Sequence, residues 1–473
     1  MFAVGMGVFL ATLDGSIVNV AMPTLEDQLD TRFAIVQWVV LAYLLTVTTL
    51  MAGVGRLADI VGKKSIYVIG FVVFTVGSAL CALAPTVGWL IGFRVLQALG
   101  AAMMMALGAA IITEAFPTSE RGRALGLIGL AVSVGIIVGP TLGGVLLDRF
   151  SWHWIFLVNL PLGIIGTLVA LRFVPATPPQ GGQRFDYPGA ALLFLCLISL
   201  LLALTFGQQF GFGSPLILLL LTGWLLFLVL FIAVEWRVSQ PIIDPRLFRN
   251  STFSISLFNG YISFVLIAGV LFLMPFYLEN VLGFRSLIVG QLLAILPLTL
   301  GITAPLSGWL SDKVGTTLMT VIGLAVLLIG YSRFGLLGTD TSKWGFVLIL
   351  LPIGIGMGAF QSPNNSAIMG SVPPHQLGVA SGLLAITRTL GQTTGIATLN
   401  ALWASRVFVY APGVSPDEMT NAPAAAQVAA LHDTFFVVMF LIGLALLLSV
   451  AGWLRRRWRP LHRAPTGQAS GQS

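Results

Sequence analysis

Read for its apolar positions, the chain is a succession of hydrophobic runs near 20 residues long, each closed by a short polar or Gly/Pro-containing turn. About 20 residues at 1.5 Å each cross a hydrocarbon core, so every run is predicted as a membrane-spanning helix. The first six spans fall near 3–23, 35–57, 66–85, 88–114, 122–147 and 154–174. Two follow near 188–208 and 214–235. The last six lie near 253–280, 286–310, 316–336, 344–370, 377–402 and 432–454. An even number of crossings, fourteen, returns the chain to the side on which it began.

Composition agrees with that pattern. Of 473 residues, 57% are hydrophobic and 9% charged, against roughly 25% charged in soluble domains. A water-facing surface cannot be covered with so few charges, which excludes a soluble multidomain protein. The 53 glycines suit helices that pack through small residues.

The net charge of +7 matters less than its placement, and it does not suggest nucleic acid. With both ends cytoplasmic, sixteen of the 24 Lys and Arg fall in inner loops and the tail, among them Arg56, Lys63, Lys64, Arg121 and Arg123. Six fall outside, and Arg94 and Arg388 lie within helices. A missed helix would scramble this positive-inside bias. The expected location is therefore the cell's inner (plasma) membrane, with both termini cytoplasmic. The first run lacks a basic lead-in and contains Asp14, so it reads as a helix and not a cleaved leader. Cys81 and Cys196 sit in apolar runs and read as small core residues.

A repeat divides the chain. Residues 55–64 read GRLADIVGKK and residues 308–317 read GWLSDKVGTT, with Gly, Leu, Asp, Val and Gly in register. Each follows the second helix of a six-helix set. Gly122 and its neighbours open the fifth helix, and Gly378-Val379-Ala380-Ser381-Gly382 open its counterpart, the thirteenth. The simplest organisation is a six-helix bundle over 1–174, a linker with two inserted helices over 175–250, a second six-helix bundle over 251–454, and a basic tail over 455–473. Parallel halves enclosing a midplane site are a transporter design.

Four stretches give this all-α pattern a specific likeness. Leu13-Asp14-Gly15-Ser16-Ile17-Val18-Asn19 continues to Pro23 in the first helix, and GRLADIVGKK forms the turn after the second. Arg94-Val95-Leu96-Gln97-Ala98-Leu99-Gly100 lies in the fourth, and Gly135-Ile136-Ile137-Val138-Gly139-Pro140-Thr141-Leu142-Gly143-Gly144 in the fifth. Trp152 to Phe156 and Asn159-Leu160-Pro161-Leu162-Gly163 add to them. In this order the sequence resembles the fourteen-helix drug:proton antiporters of the major facilitator superfamily. It departs mildly at Gly15 or Ser16, one of which stands where Thr is usual, and at Ile60, where a basic residue is usual.

The resemblance implies proton-coupled export of amphipathic or lipophilic molecules by alternating access, driven by the proton gradient with no cofactor. It implies a conformational latch of Gly55, Asp59, Gly62, Lys63, Glu114 and Arg121, with Asp59 reaching the other half and Lys63 pairing with Glu114. It also implies an antiport-specific packing face of Gly135, Gly139, Pro140, Gly143 and Gly144. Ala131, Gly135, Gly139 and Gly143 recur every four residues and so share one helix face. Ordinary small-residue packing fits them equally.

The residues themselves carry a parallel reading. A carboxylate in hydrocarbon is costly and marks a cavity, a partner or a pathway. Burial favours its neutral form, so Asp14 is the candidate proton site; a polar tether between helices would use the same residue. Arg94 stays charged at any working pH and is the candidate partner of Asp14, or else a structural residue that satisfies backbone. Asn19, Gln97 and Arg388 are the candidates for the substrate cavity.

Other chemistry is sparse. His153, His375, His432 and His462 are too scattered for a metal site, and no phosphate-binding GxxxxGK[ST] occurs. An enzyme would show clustered carboxylates, His or Cys at one depth. The alternative function is export or flipping of an endogenous lipid or metabolite on the same fold. Expected partners are a small substrate, protons and membrane lipids, the last at the tail Arg455-Arg456-Arg457-Trp458-Arg459. An envelope adaptor is not identifiable from the sequence. Substrate charge stays open among cations, neutral compounds and weak acids.

Overall fold

A computed structural model describes residues 1–31, 33–176, 185–412 and 422–457, and all regular structure among them is helical. The first half comprises α1 (Phe2–Gln28), α2 (Phe33–Val61), α3 (Lys63–Ala82), α4 (Val87–Ala115), α5 (Arg121–Arg149), and α6 (Trp154–Leu157) with α7 (Asn159–Phe173), which together make the sixth crossing. The inserted pair is α8 (Tyr187–Phe210) and α9 (Pro215–Glu235). The second half is α10 (Ser251–Phe276), α11 (Ser286–Val314), α12 (Thr316–Ser332), α13 (Lys343–Gly370), α14 (Leu377–Tyr410) and α15 (Ala424–Arg457). Fourteen crossings result.

Thirteen of these segments are long and apolar enough to cross a membrane on composition alone. The exception is α14, which carries Arg388, Thr389, Gln392, Thr393, Thr394 and Asn400 along its middle. Of these, Arg388, Thr389, Gln392 and Thr393 border cavities.

Two boundaries differ from expectation. The segment 403–431 is not one outer loop, because α14 runs on to Tyr410 and α15 begins at Ala424. The run Ala424-Ala425-Ala426-Gln427-Val428-Ala429-Ala430 is made of strong helix formers, and apolarity alone undercounted it. Arg32, Arg184, Asp417, Glu418, and the tail from Trp458 with Arg459, His462 and Arg463 lie outside the described residues.

Each half has its own apolar core. Buried residues of α10 to α15 form one cluster, including Leu266, Leu324, Phe346 and Phe435. The first half is filled by Tyr67, Phe71, Phe74, Ala102 and Leu107, and by Ile17, Val39 and Phe156. Leu193, Leu197 and Phe231 tie the inserted pair to that side, while α9 turns Leu219, Leu226 and Val229 outward, as a lipid-facing helix does.

Local rules explain the turns. Asp186 accepts from Gly189 N at 3.0 Å to cap α8, and Glu235 accepts from Ile243 N at 3.1 Å to anchor the segment that leads to α10. The last matched Gly of each repeat, Gly62 and Gly315, has φ of 109° and 96°, a region open to glycine and costly for other residues. Cys81 and Cys196 are both buried and free.

Candidate functional site

Five helices converge on Asp14. Gly77 lets α3 lie directly against the backbone of Gln97, which brings Ser78 of α3 up to Arg94 and Gln97 of α4. One turn separates Arg94 from Gln97, so both point the same way. The break between α6 and α7 places Asn159 at the start of a helix facing the same point.

The resulting network is closed. Arg94 Nη1 donates to Asp14 Oδ2 at 2.5 Å and to Gln97 Oε1 at 2.7 Å, and Arg94 Nε donates to the Val39 carbonyl at 3.0 Å. Gln97 Nε2 and Asn159 Nδ2 each donate to Asp14 Oδ1 at 2.8 Å. Ser78 Oγ receives both amides, at 2.8 and 3.0 Å. Asp14, Ser78, Arg94, Gln97 and Asn159 are all 0% exposed.

Three donors aimed at one carboxylate match its ionised form, so in this conformation Asp14 and Arg94 stand as a buried ion pair. The Tyr43 ring lies 4.1 Å from the guanidinium carbon, and its hydroxyl donates to the Ala11 carbonyl at 3.2 Å. Among the described residues, Arg94 Nη2 has no hydrogen-bond partner.

Behind that wall lies a cavity of about 370 Å³ between the halves. Tyr43 and Arg94 border it from the first half, and Gln361, Asn365, Arg388 and Gln392 from the second. A second cavity of about 500 Å³ shares Asn19, Leu44 and Thr389 and reaches between α2, α8 and α14. Asn19 and Arg388 thus line the central space. Gln97 does not: both its donors and its acceptor are spent on Asp14, Ser78 and Arg94, which holds it inside the first half.

The small-residue face of α5 packs on α1 beside Asp14. A side chain at Gly135 would meet Thr12 and Leu13, one at Gly139 would meet Ser16, and one at Gly143 would meet Ile17. Ser16 Oγ donates to the Gly135 carbonyl at 2.9 Å. Gly144 faces open space, and Pro140 is exposed.

The two repeats dock crosswise at the face that carries Arg56, Lys63 and Lys64, here called the basic face. Gly55 of α2 abuts the backbone of Gly378 in α14, and Gly308 of α11 abuts that of Gly122 in α5. Asp59 accepts from Gly378 N at 3.0 Å and Val379 N at 3.2 Å. Asp312 accepts from Gly122 N at 2.9 Å and Arg123 N at 3.0 Å. Each aspartate of one half therefore caps a helix N-terminus of the other, where the helix dipole favours an anion. Ser362 Oγ adds a bond to the Gly122 carbonyl at 2.7 Å.

Lys63 Nζ lies 3.2 Å from both Asp59 and Glu114. Arg121 stays within its own turn, donating from Nε to the Phe116 carbonyl at 3.3 Å. Sequence reasoning missed Tyr43, Ser78, Asn159 and Ser362, and it matched Asp312 to Asp59 without assigning it a contact.

Known proteins resemble this chain in sequence and in fold. The Major Facilitator Superfamily model matches residues 4–396. The riboflavin transporter RibZ of Clostridioides difficile is 34% identical over 94% of this chain and 95% of its own. The multidrug transporter protein MdtP of Bacillus subtilis is 32% identical over 85% of this chain and 74% of its own. The proton:xylose symporter XylE superposes with a TM-score of 0.65 at 14% identity, over 95% of this chain and 94% of that one. The chain belongs to the major facilitator superfamily, and is a multi-pass membrane transporter and not an enzyme.

Proposed function

For this member of the superfamily we propose proton-driven export of amphipathic or lipophilic small molecules by alternating access. The basic face lies in the cytoplasm, with both chain ends, in the cell's inner membrane. The observation that carries this reading is the sealed Asp14–Arg94 pair in the wall of the cavity between the halves. An intramembrane carboxylate held against its counter-ion at a cavity wall has a natural coupling role.

With the basic face closed by the crossed aspartate caps, the cavity belongs to the state that faces outward. A proton reaching Asp14 cancels the ion pair and leaves Arg94 without its counter-charge, so the five-helix junction must rearrange. The α5 glycines pack against α1 on either side of Asp14, which ties that rearrangement to the helix forming the seam with α11. The likeness to MdtP supports export of varied compounds. The likeness to RibZ over 94% of the chain favours a second reading, carriage of an endogenous metabolite of flavin-like size.

Proteoliposomes test both. An imposed pH gradient is applied to amphipathic dyes of positive, zero and negative charge, with riboflavin alongside. Gradient-driven movement of a dye that Asp14→Asn abolishes, with the variant still folded, is the expected result. Equal movement in both proteins removes Asp14 from coupling. Movement of riboflavin alone moves the assignment to the metabolite.

A further inference from the structure

We propose that the central cavity is built for an anion: an amphiphile carrying one negative group, such as a carboxylate or sulfonate, seated on Arg388. The inference rests on reading that cavity as the transport site and names the class of molecule it takes.

Arg388 lies in the middle of α14 and borders the cavity. Guanidinium stays protonated, and a charge removed from water needs a counter-charge or a full set of acceptors. Arg94 has a counter-charge in Asp14 and acceptors in Gln97 and Val39. Among the described residues, Arg388 takes part in no ion pair, and its guanidinium carbon lies 5.9 Å from the Phe264 ring.

Among the described residues, no Asp or Glu lines the central cavity or the one that adjoins it. Nearby carboxylates are committed elsewhere. Asp14 is paired with Arg94 inside the first half, while Asp59 and Asp312 cap helices at the basic face. Because Asp14 and Arg94 cancel, the one uncompensated charge among the described residues of the cavity wall is that of Arg388, which is positive.

The rest of the lining agrees. A site for a cation would offer a carboxylate or a free aromatic face. Among the described residues, Tyr43 and Phe264 are the ones that present rings to the central cavity, and each is already approached by an arginine, at 4.1 and 5.9 Å. Gln361, Asn365 and Gln392 supply amide donors on the side of Arg388, and Arg94 Nη2 is a further donor without a partner. Phe264, Met51 and Met105 provide apolar wall. One cation, several neutral donors and adaptable methionines describe a seat for an anionic head with a lipophilic body.

Two probes with the same fluorophore and opposite charge decide it: dansyl-γ-aminobutyrate and dansylcadaverine, titrated onto the purified protein in nanodiscs. The anion is expected to bind about tenfold tighter than the cation, the worth of one charge-assisted bond. Arg388→Gln should erase that preference, and Arg388→Lys should keep most of it, which shows that the site tolerates substitution. A cation that binds as well as the anion, an anion affinity unchanged in Arg388→Gln, or no binding of either probe overturns the proposal. If the anion is bound with the expected preference but is not moved by a pH gradient in proteoliposomes, the export reading fails and the anion site stands.

Discussion

The two halves match where they meet and differ where they are filled. At the basic face the repeats are interchangeable: Gly55 and Asp59 dock on Gly378, and Gly308 and Asp312 dock on Gly122, with nearly the same bonds. Away from that face each half holds one intramembrane arginine, and the two have opposite surroundings. Arg94 is ringed by Asp14, Gln97 and the Val39 carbonyl, whereas Arg388 faces an aromatic ring and the cavity. Symmetry at the seam is what lets two bodies rock about a shared site. Asymmetry in the bundles separates the two arginines: the first half pairs its own with a carboxylate, and among the described residues the second half leaves its own without an ion-pair partner at the cavity.

The sharpest way to break this contrast is stability. Arg94→Gln leaves Asp14 buried with its ion-pair partner gone, and losing one member of a buried pair costs about 3–5 kcal/mol. Arg388→Gln removes a charge that has no counter-ion among the described residues, so it should be neutral within about 1 kcal/mol or stabilising. Thermal unfolding of both variants in nanodiscs gives the comparison directly. A large drop for Arg94→Gln with none for Arg388→Gln sustains it. Equal drops would mean that Arg388 has structural partners of the same worth.

The sequence carried much of this and stopped at identifiable places. Apolar runs located every crossing, and the weakest of them by hydropathy, α14, owes part of that weakness to residues that line the cavity, among them Arg388, Thr389 and Gln392. Asp14 and Arg94 stand out because charges are rare in apolar helices. Ser78 and Asn159 do not, since neutral polar residues are common in such helices and only the close approach at Gly77 aims Ser78 at Gln97. Gln97 looked like a cavity residue for the same reason that Asn19 did, and the direction each takes around its helix decides which of them faces the space. The repeat was visible as five matched positions, but a single chain's pattern does not tell whether a repeat packs on its own half or on its partner.

A smaller effect tests the symmetry of the seam. Asp59→Asn and Asp312→Asn each weaken two charge-assisted bonds to a helix N-terminus, for about 1–2 kcal/mol. That free energy biases the state closed at the basic face, so each change should shift the population toward opening there by about five- to thirtyfold. Ser381 lines the cavity and is 2% exposed. A Ser381→Cys background, labelled with a membrane-impermeant maleimide from the basic side, therefore reads the opening. Similar acceleration by the two changes supports equal halves. Acceleration by one alone means that a single cap holds the face shut.

The smallest effect concerns the one place where the matched seam is uneven. Where the first repeat ends in Lys63-Lys64, the second ends in Thr316-Thr317. Lys63 bridges Asp59 and Glu114 at 3.2 Å each; the nearest cation to Asp312 in sequence, Lys313, instead lies 3.8 Å over the Trp309 ring. The Lys63 ammonium competes with the α14 N-terminus for Asp59 and also steadies it, so these two roles largely offset each other. The Glu114 side chain is 33% exposed, and pairs of that kind contribute about 0.5 kcal/mol or less. In the same Ser381→Cys background, Glu114→Gln should thus change the labelling rate by about twofold at most, and added salt should remove even that difference. A change as large as that of Asp59→Asn would make Glu114 part of the lock itself, and the first half would then govern the seam.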